Sequence, residues 1–340
     1  MRCSFRPARI EAVKALAIVL GLLHSIAGAA ELQVHFVDVG DGVKIEVLDW
    51  ESSGRPVVLL AGSGNTGHVF EDFAPKLADC CHVYAITRRG YGASSKPERG
   101  YSVPELAEDV WRVIQSLKLV KPVIVGHSMA GSEVSFLGQK HSSQLGALVY
   151  LDANADPVDF PWSNAEYRGL VMKSMKDNPP PPKRTAADYA SVDAFRAFRK
   201  RTGEFPFPAG EIRAMYEIQS DGAVGKNRTP PYVSAAIDAG SIPKDYRGIT
   251  VPVLALFAVP QSPAEKWKER APKNEQERID SDRSDEILFG FMRRWQENLK
   301  RAVPSARIVE IPGGHHYLFQ DEEADVLREL RAFLKSPDSQ

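Results

Sequence analysis

The stretch Lys121-Pro122-Val123-Ile124-Val125-Gly126-His127-Ser128-Met129-Ala130-Gly131 runs from apolar β-branched residues, through a glycine, into a serine with glycine and alanine two positions to either side. That order describes a strand that turns sharply into a helix. A serine at such a turn projects its hydroxyl above the edge of a sheet, and the crowded backbone there tolerates only small flanking residues. The strict Gly-x-Ser-x-Gly spacing is not met. Ala130 fills the last position and Gly131 follows one residue late. The flanking chain therefore has to supply the context.

Outward from this turn, β-branched runs recur at 32–37, 43–49, 56–61, 82–87, 122–125, 147–151, 251–258 and 307–311. From the third onward they are continuously apolar, the pattern of buried parallel strands, whereas the first two alternate like a half-exposed antiparallel hairpin. Helix-like stretches at 69–78, 103–117, 129–140, 284–302 and 322–334 lie between them. Strands alternating with helices predict an α/β fold, a mostly parallel central sheet of about eight strands with helices on both faces. From 153 to 248 the alternation stops. Proline clusters (179–182 and 230–231) and helical patches (187–199 and 208–219) replace strands. Ninety-odd residues of plain coil would be implausible, so the stretch is read as an inserted helical cap, 153–248, in a core made of 31–152 and 249–340. Phe160, Trp162, Tyr167 and Tyr216 are its candidates for lining a pocket.

Formal net charge is -1, with 43% hydrophobic and 26% charged residues. No overall field attracts nucleic acid or an anionic membrane. Residues 1–30 stand apart. Arg2, Arg6, Arg9 and Lys14 precede an apolar run, 15–26, and the small residues Ala27-Gly28-Ala29-Ala30. This three-part order predicts a cleaved signal peptide and an exported, periplasmic or secreted protein, with no stable membrane span after cleavage. Cys80 and Cys81 alone remain beyond it. Adjacent cysteines rarely satisfy disulfide geometry, so free thiols are expected.

Four segments carry a family resemblance in the family's order: Leu59-Leu60-Ala61-Gly62-Ser63-Gly64-Asn65, Thr87-Arg88-Arg89-Gly90-Tyr91-Gly92-Ala93-Ser94, Gly126–Gly131 and Gly313-Gly314-His315-His316-Tyr317. Across nearly all of 32–335 the chain resembles an α/β-hydrolase fold enzyme of the lidded, esterase-like type. The resemblance implies Ser128 as nucleophile, with a base from the late glycine loop. There, His316-Tyr317-Leu318-Phe319 matches the family's His-Tyr-x-Phe and favours His316, while a Gly-His register would choose His315. No aspartate follows the run 251–258. Asp152, at the end of the run 147–151, stands where some lidded relatives such as haloalkane dehalogenases place the acid, with Glu265 as fallback. The resemblance also nominates the amides of Met129 and Ser63 as oxyanion donors. Alanine at position 61 replaces the family's usual histidine without removing a donor.

These residue types serve one chemistry. A neutral hydroxyl needs an imidazole within hydrogen-bond reach, and the imidazole needs a carboxylate to fix its tautomer. His127 is assigned a packing or pocket role, and the Arg88–Gly92 turn a bracing one. The glycine-rich Gly62–Asn65 lacks the ending of a phosphate-binding loop. The expected activity is hydrolysis of a carboxylic ester or related acyl bond of a small molecule, without metal or organic cofactor. Oligomeric state is unreadable. Perhydrolase, lactonase, amidase and carbon–carbon hydrolase activities share the same three side chains, and ligand binding without turnover is the alternative from another class. Epoxide hydrolase and dehalogenase chemistry are disfavoured because the elbow carries serine, not aspartate.

Overall fold

The computed structural model describes residues 32–178, 182–259, 261–262, 266–267 and 271–336. The expected signal peptide, most of the first proline cluster and the fallback acid Glu265 lie outside them. Ten strands are present: β1 (Leu32–Asp38), β2 (Lys44–Trp50), β3 (Arg55–Leu60), β4 (Cys81–Thr87), β5 (Val123–His127), β6 (Ala147–Leu151), β7 (Tyr216–Ile218), β8 (Val224–Asn227), β9 (Val253–Val259) and β10 (Arg307–Pro312). Eight of them form one sheet in the order β1-β2-β4-β3-β5-β6-β9-β10. β1 and β2 pair antiparallel, as do β2 and β4, and every other pairing is parallel.

Side-chain alternation explains why the sheet is covered on both faces. Val58, Leu60, Ile124, Leu148 and Tyr150 enter one core, which holds α1 (Val103–Ser116), α2 (Ala130–His141) and the long helix α8 (Glu275–Ala302). Their strand neighbours Val57, Leu59, Val123, Val125 and Val149 enter the other, against Phe70, Phe73 and α10 (Glu323–Lys335). Successive strand residues point to opposite faces, so a continuously apolar strand must be buried on both. α1 begins with a capping box in which Ser102 and Glu105 satisfy each other's backbone amides, and it buries Leu106, Val110, Val113 and Ile114 at helical spacing.

Between β6 and β9 lie α3 (Ala165–Asp177), α4 (Ala186–Tyr189), α5 (Val192–Arg201), α6 (Ala209–Met215) and α7 (Pro231–Ala239). This stretch also contains the hairpin β7–β8, where the sequence predicts no strand. Strands of three and four residues are too short to show a period of two, so the expected helix over 208–219 ends at Met215. The run 69–78 is likewise two 3₁₀ turns, Gly67–Phe70 and Ala74–Leu77. Pro75, in the first turn of the second, cannot donate to a continuous helix. β2 is buried along nearly its whole length, where alternation was expected. α8 starts nine residues before the expected 284. Its first turns carry no apolar stripe and are held by an Asn274 cap and by ion pairs of Arg278 with Glu275 and Asp282. A last short helix, α9 (Leu318–Asp321), precedes α10. Cys80 and Cys81 are free thiols, with sulfurs 3.0 Å apart. No helix among the described residues is long and apolar enough to cross a membrane.

The switch point of the sheet sits at β3 and β5, where the strand order reverses. Open α/β sheets bind ligands beyond the carboxyl ends of such strands. At that edge α2 approaches the end of β6 so closely that a Cβ on Gly131 would stand 1.8 Å from the Ala153 carbonyl oxygen. The late glycine thus does what the motif's missing one would do. Gly131→Ala should destabilise the protein by about 1–3 kcal/mol, seen as a lower urea midpoint. An unchanged midpoint would mean that the two segments separate freely.

Candidate active site

Ser128 is the first residue past β5, and its φ of 55° lies in the left-handed region that few side chains adopt. The turn is held by the Ser128 amide donating to the Leu151 carbonyl (3.2 Å) and the Gly131 amide donating to the Ser128 carbonyl (3.0 Å). Gly126 gives α2 room, because a Cβ there would lie 2.5 Å from Val134 Cγ2. Gly62 gives the facing loop room, since its Cβ would lie 2.9 Å from both Ser128 Cβ and His127 Nδ1. The strain at the serine is thus imposed by packing from two sides.

Asp152 follows β6 as Ser128 follows β5, again with positive φ (46°). Its amide donates to the Leu256 carbonyl at 2.8 Å, and its Oδ1 accepts from the Ala258 amide at 3.1 Å. Its other oxygen, Oδ2, lies 2.6 Å from His316 Nδ1, and His316 Nε2 lies 2.9 Å from Ser128 Oγ. Of the tail pair it is therefore His316 whose ring bridges the serine and the aspartate. His315 lines the cavity above them. With Nδ1–H donating to Asp152, Nε2 is left to accept the serine proton. Ser63 and Met129, which carry the two nominated amides, line the same cavity as Ser128.

His127 does more than pack. Its Nε2–H donates to the His316 carbonyl at 2.9 Å, fixing the backbone at His316. Its ring is buried beside those of His316, Tyr317 and Phe319. Burial, aided by the neighbouring His316, pushes its pKa down to about 3, so it stays neutral. Arg88 braces the loop as expected. Its guanidinium forms two 2.6 Å bonds to Glu133 of α2 and donates to the carbonyls of Ala61 (2.9 Å) and Gly62 (3.4 Å). Arg89 makes a second forked pair with Asp109.

Two charged groups escaped the sequence reading, one buried and one half-buried. Glu211 of α6 is wholly buried and accepts from Asn65 Nδ2 (2.8 Å), the Thr66 amide (3.0 Å) and Thr66 Oγ1 (2.5 Å). Asn65 in turn accepts from the Tyr317 hydroxyl at 2.9 Å. The inserted stretch, the Ser63 loop and the His316 loop are thereby joined through one carboxylate. Lys244 donates from Nζ to the Ala153 carbonyl, and its amide donates to Asp156 Oδ2 at 3.3 Å. Burial pushes its ammonium down to about 7, against the pull of Asp156 and Asp152. No local pattern announces either residue, since each partner lies far away in the sequence.

The cavity over Ser128 has a volume of about 950 Å³. Phe160, Trp162 and Tyr167 line it as anticipated, whereas Tyr216 packs on Phe195 in β7–α5 contact. The unanticipated wall is α8, which presents Asp285, Leu288, Met292 and Trp295. Their spacing on one helix face was readable, but the sequence reading drew its pocket-lining candidates from 153–248 alone.

Residues 57–330 match the model of the alpha/beta hydrolase family. The chain belongs to that family. Among its relatives, 2-(acetamidomethylene)succinate hydrolase of Mesorhizobium japonicum is 25% identical over 65% of this chain and 75% of its own. Epoxide hydrolase A of Mycobacterium tuberculosis is 31% identical over 34% of this chain and 38% of its own. The chain spans less than half the length of most of the curated relatives it matches. The crystal structure of E-2-(acetamidomethylene)succinate hydrolase superposes with a TM-score of 0.63 at 19% identity, covering 90% of this chain and 100% of that one. An esterase from Exiguobacterium antarcticum gives 0.55 at 21%, covering 88% and 99%. The alpha/beta hydrolase fold is thus shared along the sheet, at identities too low to carry more than the fold.

Glu211 gives this family member a testable pH signature. Burial pushes its carboxyl up to about 7 from 4.5, although Thr66 and Asn65 pull it down. The folded protein therefore holds that proton more tightly than the unfolded chain does. The resulting stability is complete below pH 4.5 and is lost as pH rises to about 7. Glutamine cannot titrate. The stability of Glu211→Gln relative to wild type should rise between pH 5 and 7.5, measured by urea midpoints; a gap independent of pH would remove Glu211 from this role.

Proposed function

We propose that the protein is a serine hydrolase that cleaves a carboxylic ester or related acyl bond of a small molecule through an acyl-enzyme. The observation that carries this reading is the single imidazole of His316 within 2.9 Å of the Ser128 hydroxyl and 2.6 Å of the Asp152 carboxylate. Oγ of Ser128 attacks the substrate carbonyl carbon while His316 Nε2 takes its proton. Asp152 stabilises the imidazolium so formed and holds the ring in the tautomer that keeps Nε2 free. Charge gathers on the carbonyl oxygen, where the amides of Ser63 and Met129 would donate. Such donors are each worth about 3–4 kcal/mol in the transition state. Collapse of the tetrahedral species breaks the bond to the leaving group, which receives the proton from His316. Water then loses a proton to His316 and attacks the acyl carbon; as the bond to Oγ breaks, His316 returns that proton to Ser128 and the acid is released.

The serine at the elbow favours this route over chemistry that begins with an aspartate nucleophile, although epoxide hydrolase A is among the matching relatives. The stretch 153–248 acts as a cap, and its Phe160, Trp162 and Tyr167 line the cavity that holds Ser128. Lys244 and Glu211 tie that cap to the loops bearing the acid and the oxyanion donor.

A fluorophosphonate probe should label the full protein at Ser128, and Ser128→Ala should abolish labelling. Asp152→Asn should lower kcat by about 10⁴. His316→Ala should remove nearly all turnover of p-nitrophenyl esters, while His315→Ala removes much less. A folded protein that neither labels nor turns over would instead be a ligand-binding member of the fold.

A further inference from the structure

Which acyl groups such a hydrolase accepts depends on what the cavity offers beyond the reacting atoms. One wall is a single stripe of α8: Leu288, Met292 and Trp295, with Asp285 at its N-terminal end. Steps of three and four residues place these side chains on one helix face. Trp295 presents no polar atom to the cavity, because its indole N–H donates to the Asp159 carbonyl at 3.0 Å. Phe160 stacks beside it, with ring planes 16° apart and centroids 6.1 Å apart. Phe257 of β9 adds a further apolar surface.

The charged lining is already satisfied. Among the described lining residues the one lysine or arginine is Lys266, and its Nζ donates to Asp285 Oδ2 and Ser281 Oγ, both at 2.5 Å. The carboxylates of Asp152, Asp238 and Asp285 share the same cavity. A substrate carboxylate entering here would shed its hydration, meet the carboxylates of Asp152 and Asp238, and find the Lys266 ammonium engaged by Asp285. Burying an anion without a partner is strongly unfavourable. An alkyl chain along Leu288, Met292 and Trp295 gains from every methylene it buries.

We propose that the substrate is an uncharged, mainly apolar ester whose acyl chain lies along the α8 stripe, and that the Asp285–Lys266 pair turns away acyl groups ending in a carboxylate. This rests on the serine-hydrolase reading above. The specificity determinants then lie after β9, on a core helix, and not only in the inserted stretch.

The test uses the full protein and kcat/KM for p-nitrophenyl esters from acetate to octanoate, with mono-p-nitrophenyl glutarate against pentanoate as a pair of equal acyl length. Wild type should gain about fourfold per added methylene until the chamber is filled, and should prefer pentanoate to glutarate by about 100-fold or more. Asp285→Asn releases Lys266 and should raise glutarate turnover about tenfold while pentanoate changes little. Leu288→Trp, which fills the stripe without touching the pair, should move the optimum to shorter chains. A flat chain-length series, equal use of glutarate by wild type, or no glutarate gain in a folded Asp285→Asn would each overturn the proposal. Fluorophosphonate labelling of the same samples separates the two levels. A protein that labels but shows the wrong preference loses only this inference, and one that does not label loses the reading beneath it.

Discussion

The close approach of three backbone segments at the carboxyl edge of the sheet is the constraint on which the rest depends. The loop after β3, the turn after β5 and the end of β6 meet where no side chain larger than hydrogen fits at Gly62, Gly126 or Gly131. That crowding holds Ser128 at φ 55° and aims its hydroxyl outward. Relaxing the turn would require one of the packed neighbours to move. Each is fixed in its turn, α2 by the buried Glu133–Arg88 pair and the β3 loop by the same guanidinium. Removing one partner of such a pair costs about 3–5 kcal/mol, because a charge is then left buried alone. Strain at the serine is thus held by interactions that outweigh the roughly 1–3 kcal/mol it stores.

Register turns that local strain into a site. Parallel pairing of β5 with β6 sets His127 opposite Leu151, so residues 128 and 152 leave adjacent strands at the same level. β6 pairs with β9 with Leu151 opposite Leu256, which brings the Ala258 amide to Asp152. β9 with β10 then delivers the glycine loop carrying His316. A one-residue slip of β5 against β6 or of β6 against β9 would exchange side chains between two close-packed cores shaped for other residues. The cost of that misfit, spread over both cores, fixes distances of 2.6 and 2.9 Å between residues far apart in the chain.

The sheet was legible because it is built from strong, repeated signals: apolar runs bounded by turns and a serine in a strand-to-helix context. His316 and Asp152 were legible only by resemblance, since no spacing dictates which strand end supplies an acid. The hairpin β7–β8 was missed because its strands are shorter than the period that would reveal them. The two 3₁₀ turns at 67–77 were missed because an apolar run interrupted by Pro75 still scores as a helix. Glu211 and Lys244 were invisible for a deeper reason. A buried charge is explained by its partners, and those of Glu211 lie some 145 residues away. The polar opening of α8 hid its true start, because residues 275–283 carry no apolar stripe.

The division of labour between elements follows from this. Groups that must hold angles and distances stand at strand ends, where register is enforced by the whole sheet. The cavity above them is bounded by side chains from a helix face and from an inserted stretch, where a substitution changes shape without disturbing register. Catalytic geometry and pocket shape would drift apart if nothing joined them. The carboxylate of Glu211 prevents this, because it accepts from the residues just after Ser63 and, through Asn65, reaches the tyrosine just after His316. A single buried acceptor thus couples the inserted stretch to both the loop of Ser63 and the loop of His316, and its fully buried position makes that coupling stiff.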